Sequence, residues 1–327
     1  PASWKFSTIG GNVAENAGGM RAVKYGVTTN YVMGLEVVLA DGTVLTLGGK
    51  AIKNVTGYDM KSLFTGSEGT LGIITRVTLR LITMPKRRGT LQVTFRSLDD
   101  GCATVHRMLQ EGVVPAAAEI MDRVCLEAVA RHKKTPLDTE VQASLVIEID
   151  GESDEELAAQ AGRIEAVANQ CNAIGFRSAR SQQESDEIWA VRRGLSSAVA
   201  SLAPDRLGED ISVPRDAFPE VVRRIRAISE KYGLPIAVYG HAGDGNLHPS
   251  VLCNMSDPEE AVQVHRAVDE IFAAALAVGG TLSGEHGIGI TKRPYISRAL
   301  GEAGVKALKA VKAALDPKGI LNPGKIW

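Results

Sequence analysis

Apolar and polar positions follow strand-like and then helix-like patterns along the chain. Residues 31–49 predict a β-hairpin, because two β-rich runs are joined by Asp41 and Gly42, a pair that suits a type I′ turn. Residues 72–82 predict a further strand. A proline and a basic run follow it at 84–89, where we expect a domain boundary.

Beyond that boundary, strands alternate with helices. Strands are predicted at 90–95, 143–150 and 209–214, and helices at 102–112, 153–173, 185–202, 216–232, 258–277 and 300–315. Ser153 or Asp154 is expected to cap the second of these helices. The helix over 185–202 is expected to carry four apolar residues on one face, Ile188, Val191, Leu195 and Val199. Because no GxGxxG follows a strand, the order predicts an α+β sheet domain rather than a Rossmann fold.

Composition narrows the function classes. With 327 residues, 44% hydrophobic and 23% charged, the chain is long enough for two globular domains. A net charge of −1 gives no reason to expect nucleic acid as a partner, and no apolar run is long enough to span a bilayer. Four scattered cysteines without a CxxC pair predict reduced, buried thiols in a cytosolic protein. The chain starts at Pro1, and we expect an upstream portion to be absent.

The stretch YGHAGDGNLH, residues 239–248, is the first candidate for chemistry. If His241 pairs with His248 across a hairpin, their Cβ atoms lie roughly 5 Å apart on one face. Two imidazoles at that separation can reach one zinc-type ion. Asn246 lies on the same face and can bind a substrate oxygen. The alternative is an ordinary polar hairpin.

Two further stretches carry glycines beside polar residues. In 283–292, Glu285 can supply a carboxylate ligand and His286 a base near neutral pH. Glu285 together with the two histidines of the hairpin would make a His/His/Glu metal site with an open coordination position. The glycines of 8–19 and 63–75 let backbone N–H groups face a phosphate or a flat ring. The alternative for each is a structural loop or a tight turn.

Arg192 lies one helical turn before Ser196 and can form a bidentate pair with a substrate carboxylate. The alternative is a solvated pair of arginines, Arg192 beside Arg193.

The motifs GGNVAENAGG, LFTGSEGTLGIIT, GHAGDGNLH, SGEHGIG and LDPKGILNPGK occur in this order. In this combination the chain resembles the FAD-linked 2-hydroxy-acid dehydrogenases, which include D-lactate dehydrogenase, D-2-hydroxyglutarate dehydrogenase and the flavin subunit of glycolate oxidase. The resemblance implies an α+β fold with the C-terminal part of a vanillyl-alcohol-oxidase (PCMH)-type FAD-binding domain over 1–85. It also implies a ferredoxin-like α+β cap domain with the substrate and metal site over 86–282. The segment 283–327 would return to the FAD domain.

The same resemblance assigns roles to residues. FAD would be bound by Gly10, Gly11, Asn12, Asn16, Gly18, Gly19, Glu68, Gly72, Ile74 and Asn322. A divalent metal of the zinc type would be bound by His241, His248 and Glu285. The catalytic residues would be His286 as the base, Asn246 as a substrate ligand and Arg192 as the group that holds the substrate carboxylate.

The implied function is FAD-dependent, metal-assisted oxidation of a small D-2-hydroxy acid, such as glycolate or D-lactate, to the 2-oxo acid. Expected partners are an electron-acceptor protein or quinone and other oxidase subunits, in the cytoplasm or peripheral to the membrane. The first flavin subdomain with its pyrophosphate loop is missing, so weak or no FAD binding is expected of this chain alone. Gly208 stands where D-2-hydroxyglutarate enzymes carry a Lys, which argues against that substrate. The alternatives are a metal-dependent hydrolase without flavin and a non-catalytic metal-binding or subunit-docking fragment.

Overall fold

The computed structural model describes residues 1–327. Its strands are β1 (Val32–Val38), β2 (Val44–Gly48), β3 (Ile73–Leu79), β4 (Arg87–Phe95), β5 (Ala117–Asp122), β6 (Ala143–Gly151), β7 (Ala173–Ser178), β8 (Asp205–Gly208), β9 (Ile211–Ser212), β10 (Ile236–Ala237), β11 (Tyr239–His241), β12 (Asn246–Leu247) and β13 (Ser250–Cys253). Its α-helices are α1 (Ile9–Ala14), α2 (Ala22–Tyr25), α3 (Met60–Phe64), α4 (Leu98–Gln110), α5 (Arg123–Lys133), α6 (Asp154–Gln170), α7 (Gln182–Arg193), α8 (Leu195–Ala200), α9 (Phe218–Tyr232), α10 (Pro258–Ala277) and α11 (Ile296–Leu315). No helix combines the length and apolar character needed to cross a bilayer.

The chain forms two compact units, and neither is continuous in sequence. The first contains residues 1–19, 26–83 and 282–327, and the second contains residues 20–25 and 84–281. The sequence prediction placed residues 20–25 with the FAD domain, whereas the structure packs this short segment into the second unit.

The first unit is built on a three-stranded antiparallel sheet in the order β2-β1-β3. Its core consists of apolar residues from the sheet and the nearby helices, with Val311 and Leu315 of α11 packed against them. The predicted hairpin of β1 and β2 is confirmed, but its type I′ turn is wrong. A five-residue loop, 39–43, joins the strands. A type I′ turn needs positive φ at both central residues, but only Gly42 has it, at +87°. The carboxylate of Asp41 accepts the N–H of Thr43 at 2.9 Å.

The second unit contains a seven-stranded antiparallel sheet in the order β7-β4-β6-β5-β11-β12-β9. When β4, β5, β6 and β7 are numbered 1 to 4 in chain order, they lie in the order 4-1-3-2. Helix α4 follows the first of them and α6 the third, which is a ferredoxin-like arrangement. A smaller sheet has the order β10-β13-β8. The predicted α+β class of this part is therefore confirmed.

Local capping chemistry fixes several helix boundaries. Ser153 caps α6, as predicted, because its hydroxyl accepts the N–H of Glu156 at 3.2 Å, and α10 has the predicted bounds. The single helix predicted over 185–202 is wrong, since the chain breaks at Gly194 between α7 and α8. The last helix begins earlier than predicted, at Ile296, with a break at Gly301, where φ is +65°. All four cysteines are free and buried, as predicted.

Charged side chains hold the segment 20–25 within the second unit. Arg21 makes a bidentate pair with Glu148 of β6, at 2.7 and 2.8 Å. Asp150, on the same strand, accepts hydrogen bonds from Lys24 and from the hydroxyl of Tyr25. Burial and the hydrogen bond to Asp150 raise the pKa of Tyr25 to about 12.

Candidate active site

The hairpin of β11 and β12 carries the predicted histidines, in a register that differs from the prediction. His241 lies opposite Asn246, and His248 donates its backbone N–H to Tyr239 O at 2.7 Å, so the two histidines are diagonal neighbours. The offset of two residues keeps both side chains on one face of the sheet. Their rings are nearly perpendicular, with centroids 5.2 Å apart.

Behind His241 lies a carboxylate that the sequence analysis did not identify. Glu119 of β5 is the cross-strand neighbour of His241, is fully buried, and places Oε1 2.5 Å from Nδ1 of that histidine. Burial alone would raise the pKa of Glu119. The charges of His241 and Arg192 and their hydrogen bonds outweigh burial and lower that pKa to about 2. The carboxylate is therefore ionised throughout the neutral range.

Arg192, at the end of α7, meets the same carboxylate. Its Nε donates to Glu119 Oε2 at 2.6 Å, and its guanidinium carbon lies 5.3 Å from the ring centroid of Tyr239. Only 13% of the side chain is exposed. Because these two contacts fix the guanidinium plane, its outer edge is preorganised for a carboxylate.

A second buried carboxylate lies beside His248. Asp210 Oδ1 is 3.8 Å from Nδ1 of His248 and accepts the side-chain N–H of Asn246 at 2.7 Å. Asn246 also donates to the carbonyl of Ile211 at 2.9 Å. These bonds fix the amide, whose Oδ1 is buried without a hydrogen-bond partner in the protein. Buried polar atoms normally have a partner, so this oxygen marks a place for a ligand atom.

This cluster within the second unit fits a metal ion. A cation about 2 Å from one nitrogen of each imidazole can bridge two rings at the observed separation. Metal-bound histidines commonly donate their other ring N–H to a carboxylate, which is the relation of His241 to Glu119. The two imidazoles therefore suit a divalent cation, and the unpartnered amide oxygen of Asn246 beside them suits a substrate atom.

Within the first unit, Glu68 holds the loop that carries Glu285 and His286. Its carboxylate accepts the backbone N–H groups of Ile288 and Gly289, at 2.6 and 2.8 Å. His286 is exposed and Glu285 is partly buried. Gly287 has φ +75°, which favours glycine, and a Cβ there would lie 2.7 Å from the Glu15 carboxylate and 2.8 Å from that of Glu68. The side chain of Glu68, predicted to contact FAD, is thus bound to this loop.

The predicted flavin loops pack against each other in the first unit. The N–H of Gly66 donates to Val13 O at 2.9 Å, and Asn322 donates to the carbonyl of Glu68 at 2.6 Å. The hydroxyl of Ser67 is buried there without a hydrogen-bond partner, which fits a site for a polar cofactor. No motif in the sequence singles out Ser67 from its neighbours in the stretch 63–75.

Other predicted site residues have packing or hydrogen-bonding roles. A Cβ on Gly72 would lie 2.4 Å from Val37 Cγ1, and Ile74 packs against the core of the first unit. The break at Gly194 removes the shared helical face proposed for Arg192 and Ser196. The hydroxyl of Ser196 instead accepts a hydrogen bond from Arg206 at 2.9 Å.

Comparison with known protein families gives two matches. The family model described as "FAD linked oxidases, C-terminal domain" matches residues 84–326, and the model described as "FAD binding domain" matches residues 1–48.

Curated relatives match along essentially the whole chain. The glycolate oxidase subunit GlcD of Bacillus subtilis is 42% identical over 327 residues, which cover 100% of this chain and 69% of that protein. A D-lactate dehydrogenase of Anaerostipes hadrus is 37% identical, over 98% of this chain and 69% of that protein. The chain therefore spans about two thirds of the length of these relatives.

The fold resembles that of a solved structure of another protein. The structure of p-cresol methylhydroxylase with substrate bound aligns with a TM-score of 0.77 and 18% identity, over 100% of this chain and 70% of that chain. This likeness shows the fold and confirms the predicted vanillyl-alcohol-oxidase (PCMH) type.

Proposed function

The chain belongs to the FAD-linked oxidases, the family that contains glycolate oxidase subunits and D-lactate dehydrogenases, and on that premise we propose that it oxidises a small D-2-hydroxy acid to the 2-oxo acid. Glycolate and D-lactate are the first substrates to test. The divalent metal, the roles of individual residues, the electron acceptor and the cytoplasmic location are parts of this proposal.

The observation that carries the proposal is that Arg192 of α7, an anion-binding group, lies beside two side chains that can bind a metal, His241 and His248 of the hairpin of β11 and β12. Glu119 lies between Arg192 and His241 and contacts both, at 2.6 and 2.5 Å. A 2-hydroxy acid has two oxygen functions on adjacent carbons, a carboxylate and a hydroxyl. This arrangement offers a guanidinium for the first and a cation site for the second.

When bound, FAD supplies the hydride acceptor and the divalent cation acts as a Lewis acid on the 2-hydroxyl. Arg192 binds and orients the substrate carboxylate, and Oδ1 of Asn246 accepts a hydrogen bond from the substrate. His286 removes the hydroxyl proton, since imidazole is the side chain that most often serves as a general base in enzymes. His241, His248 and Glu285 are the proposed metal ligands, with Glu285 assigned by the family resemblance.

A substrate panel with an artificial electron acceptor tests this function. The intact gene product is assayed with glycolate, D-lactate, L-lactate and D-2-hydroxyglutarate, before and after removal of divalent metal with a chelator. We expect flavin absorbance that bleaches under anaerobic conditions with at least one D-2-hydroxy acid or glycolate, and loss of turnover on chelation that Zn²⁺ or Mn²⁺ restores. A protein without flavin that hydrolyses esters or amides would refute the proposal in favour of a metal-dependent hydrolase.

A further inference from the structure

Glu119 is not a proposed ligand of substrate, metal or flavin. It nevertheless contacts Arg192 of the proposed substrate site and His241 of the proposed metal site. It lies on β5 directly opposite His241, and its neighbours on that strand are apolar core residues. A fully buried carboxylate is costly unless each oxygen is paired. Here Oε1 faces His241 and Oε2 faces Arg192.

We infer that Glu119 is a positioning residue that sets the ring orientation of His241 and the guanidinium orientation of Arg192 at the same time. This inference rests on the proposed function. On the histidine side, the carboxylate holds the proton on Nδ1 and so directs Nε2 toward the cation. On the arginine side, it occupies Nε and leaves the terminal amino groups to meet the substrate carboxylate.

Because one side chain serves both groups, loss of Glu119 weakens cation binding and substrate binding together. A carboxylate that served stability alone would change neither. The chain offers a matched control in Glu148, on the adjacent strand β6, which is also buried and also paired with an arginine, Arg21. That pair includes none of the proposed site residues.

The test compares E119Q with E148Q in the intact holoenzyme. Zn²⁺ affinity is measured by competition with a chromophoric chelator, and KM and kcat are measured at saturating Zn²⁺ for a panel acid that the wild type oxidises. We expect E119Q to raise the Kd for Zn²⁺ about 10- to 100-fold. We also expect KM to rise by a larger factor than kcat falls, whereas E148Q changes Kd and KM less than twofold. Equal Zn²⁺ affinity and KM in E119Q and E148Q would overturn the inference.

A measurement on the wild type covers the case in which E119Q does not fold. Long-range ¹H–¹⁵N spectra of the protein labelled at histidine, with His241 assigned by its loss in H241Q, report which ring nitrogen holds the proton. We expect Nδ1 to stay protonated when Zn²⁺ is added and Nε2 to shift. Loss of the Nδ1 proton on Zn²⁺ addition refutes the inference and leaves the proposed function intact. A wild type that binds no Zn²⁺ overturns the proposed metal site as well.

Discussion

The turn of the histidine hairpin depends on Gly245. We expect G245A to lower the free energy of unfolding more than G112A, an alanine substitution at another glycine with positive φ. Gly245 has φ +91°, a region that costs a residue with a Cβ about 1–2 kcal/mol. A Cβ there would lie 2.1 Å from the carbonyl oxygen of Val213, so the two backbones must move apart. That movement breaks the hydrogen bond from Val213 N to Gly245 O, now 3.0 Å, for about 1 kcal/mol more. The sum is roughly 2–3 kcal/mol.

Gly112 provides the control, because its φ is +73° and a Cβ added there would meet no atom within 4 Å. G112A should therefore cost only the backbone conformation, about 1–2 kcal/mol. Both variants are compared with the wild type by urea unfolding, followed by far-UV circular dichroism. Equal destabilisation by the two substitutions would refute the close approach of Gly245 to Val213. Because Asn246 follows the turn directly, we also expect G245A, and not G112A, to weaken Zn²⁺ binding.

Three further predictions concern single side chains. Burial raises the pKa of Asp122 from 3.8 to about 6, so the folded state holds this proton more tightly than the unfolded state. The free energy of unfolding of the wild type, relative to that of D122N, should then fall by up to about 3 kcal/mol as pH rises from 4 to 7. Urea unfolding of both proteins across this range measures it, and a difference that does not change with pH would contradict the raised pKa. H286A should lower kcat at least about 100-fold with the Zn²⁺ content unchanged, and full activity would exclude His286 as the base. E68Q should speed hydrogen exchange at the amides of Ile288 and Gly289, and unchanged exchange rates would show that the Glu68 carboxylate does not hold the loop.

The sequence predicted the elements that local chemistry determines. The α6 helix has a serine cap and a first turn rich in acidic residues. The α10 helix begins at Pro258, directly after its capping residue Asp257, so both helices are apparent from neighbouring residues alone. β5 was missed because Ala117–Asp122 is buried on both faces and shows no alternation. Glu119, which lies on that strand, was missed with it.

The site could be predicted only as far as single motifs extend. The two histidines, Asn246 and Arg192 were predicted as site residues, and the structure places these four side chains in one cluster of the second unit. The hairpin register was wrong, because the four-residue turn 242–245 shifts the pairing by two positions relative to the prediction. The contacts of Glu119 and Asp210 join segments that are distant in sequence, and no local pattern reports such a pairing.

The short segment 20–25 makes assembly of the second unit a long-range event along the chain. Arg21 and Glu148 are separated by 127 positions, so their contact closes a long loop of the chain. A fragment cut at residues 84 and 281 would lack Arg21 and Lys24, the cations that face Glu148 and Asp150. It would also lack Val23 and so uncover the backbone at Gly243, beside which Val23 packs. Expression of the cap region as an independent module would therefore need residues 20–25 grafted back or supplied as a peptide.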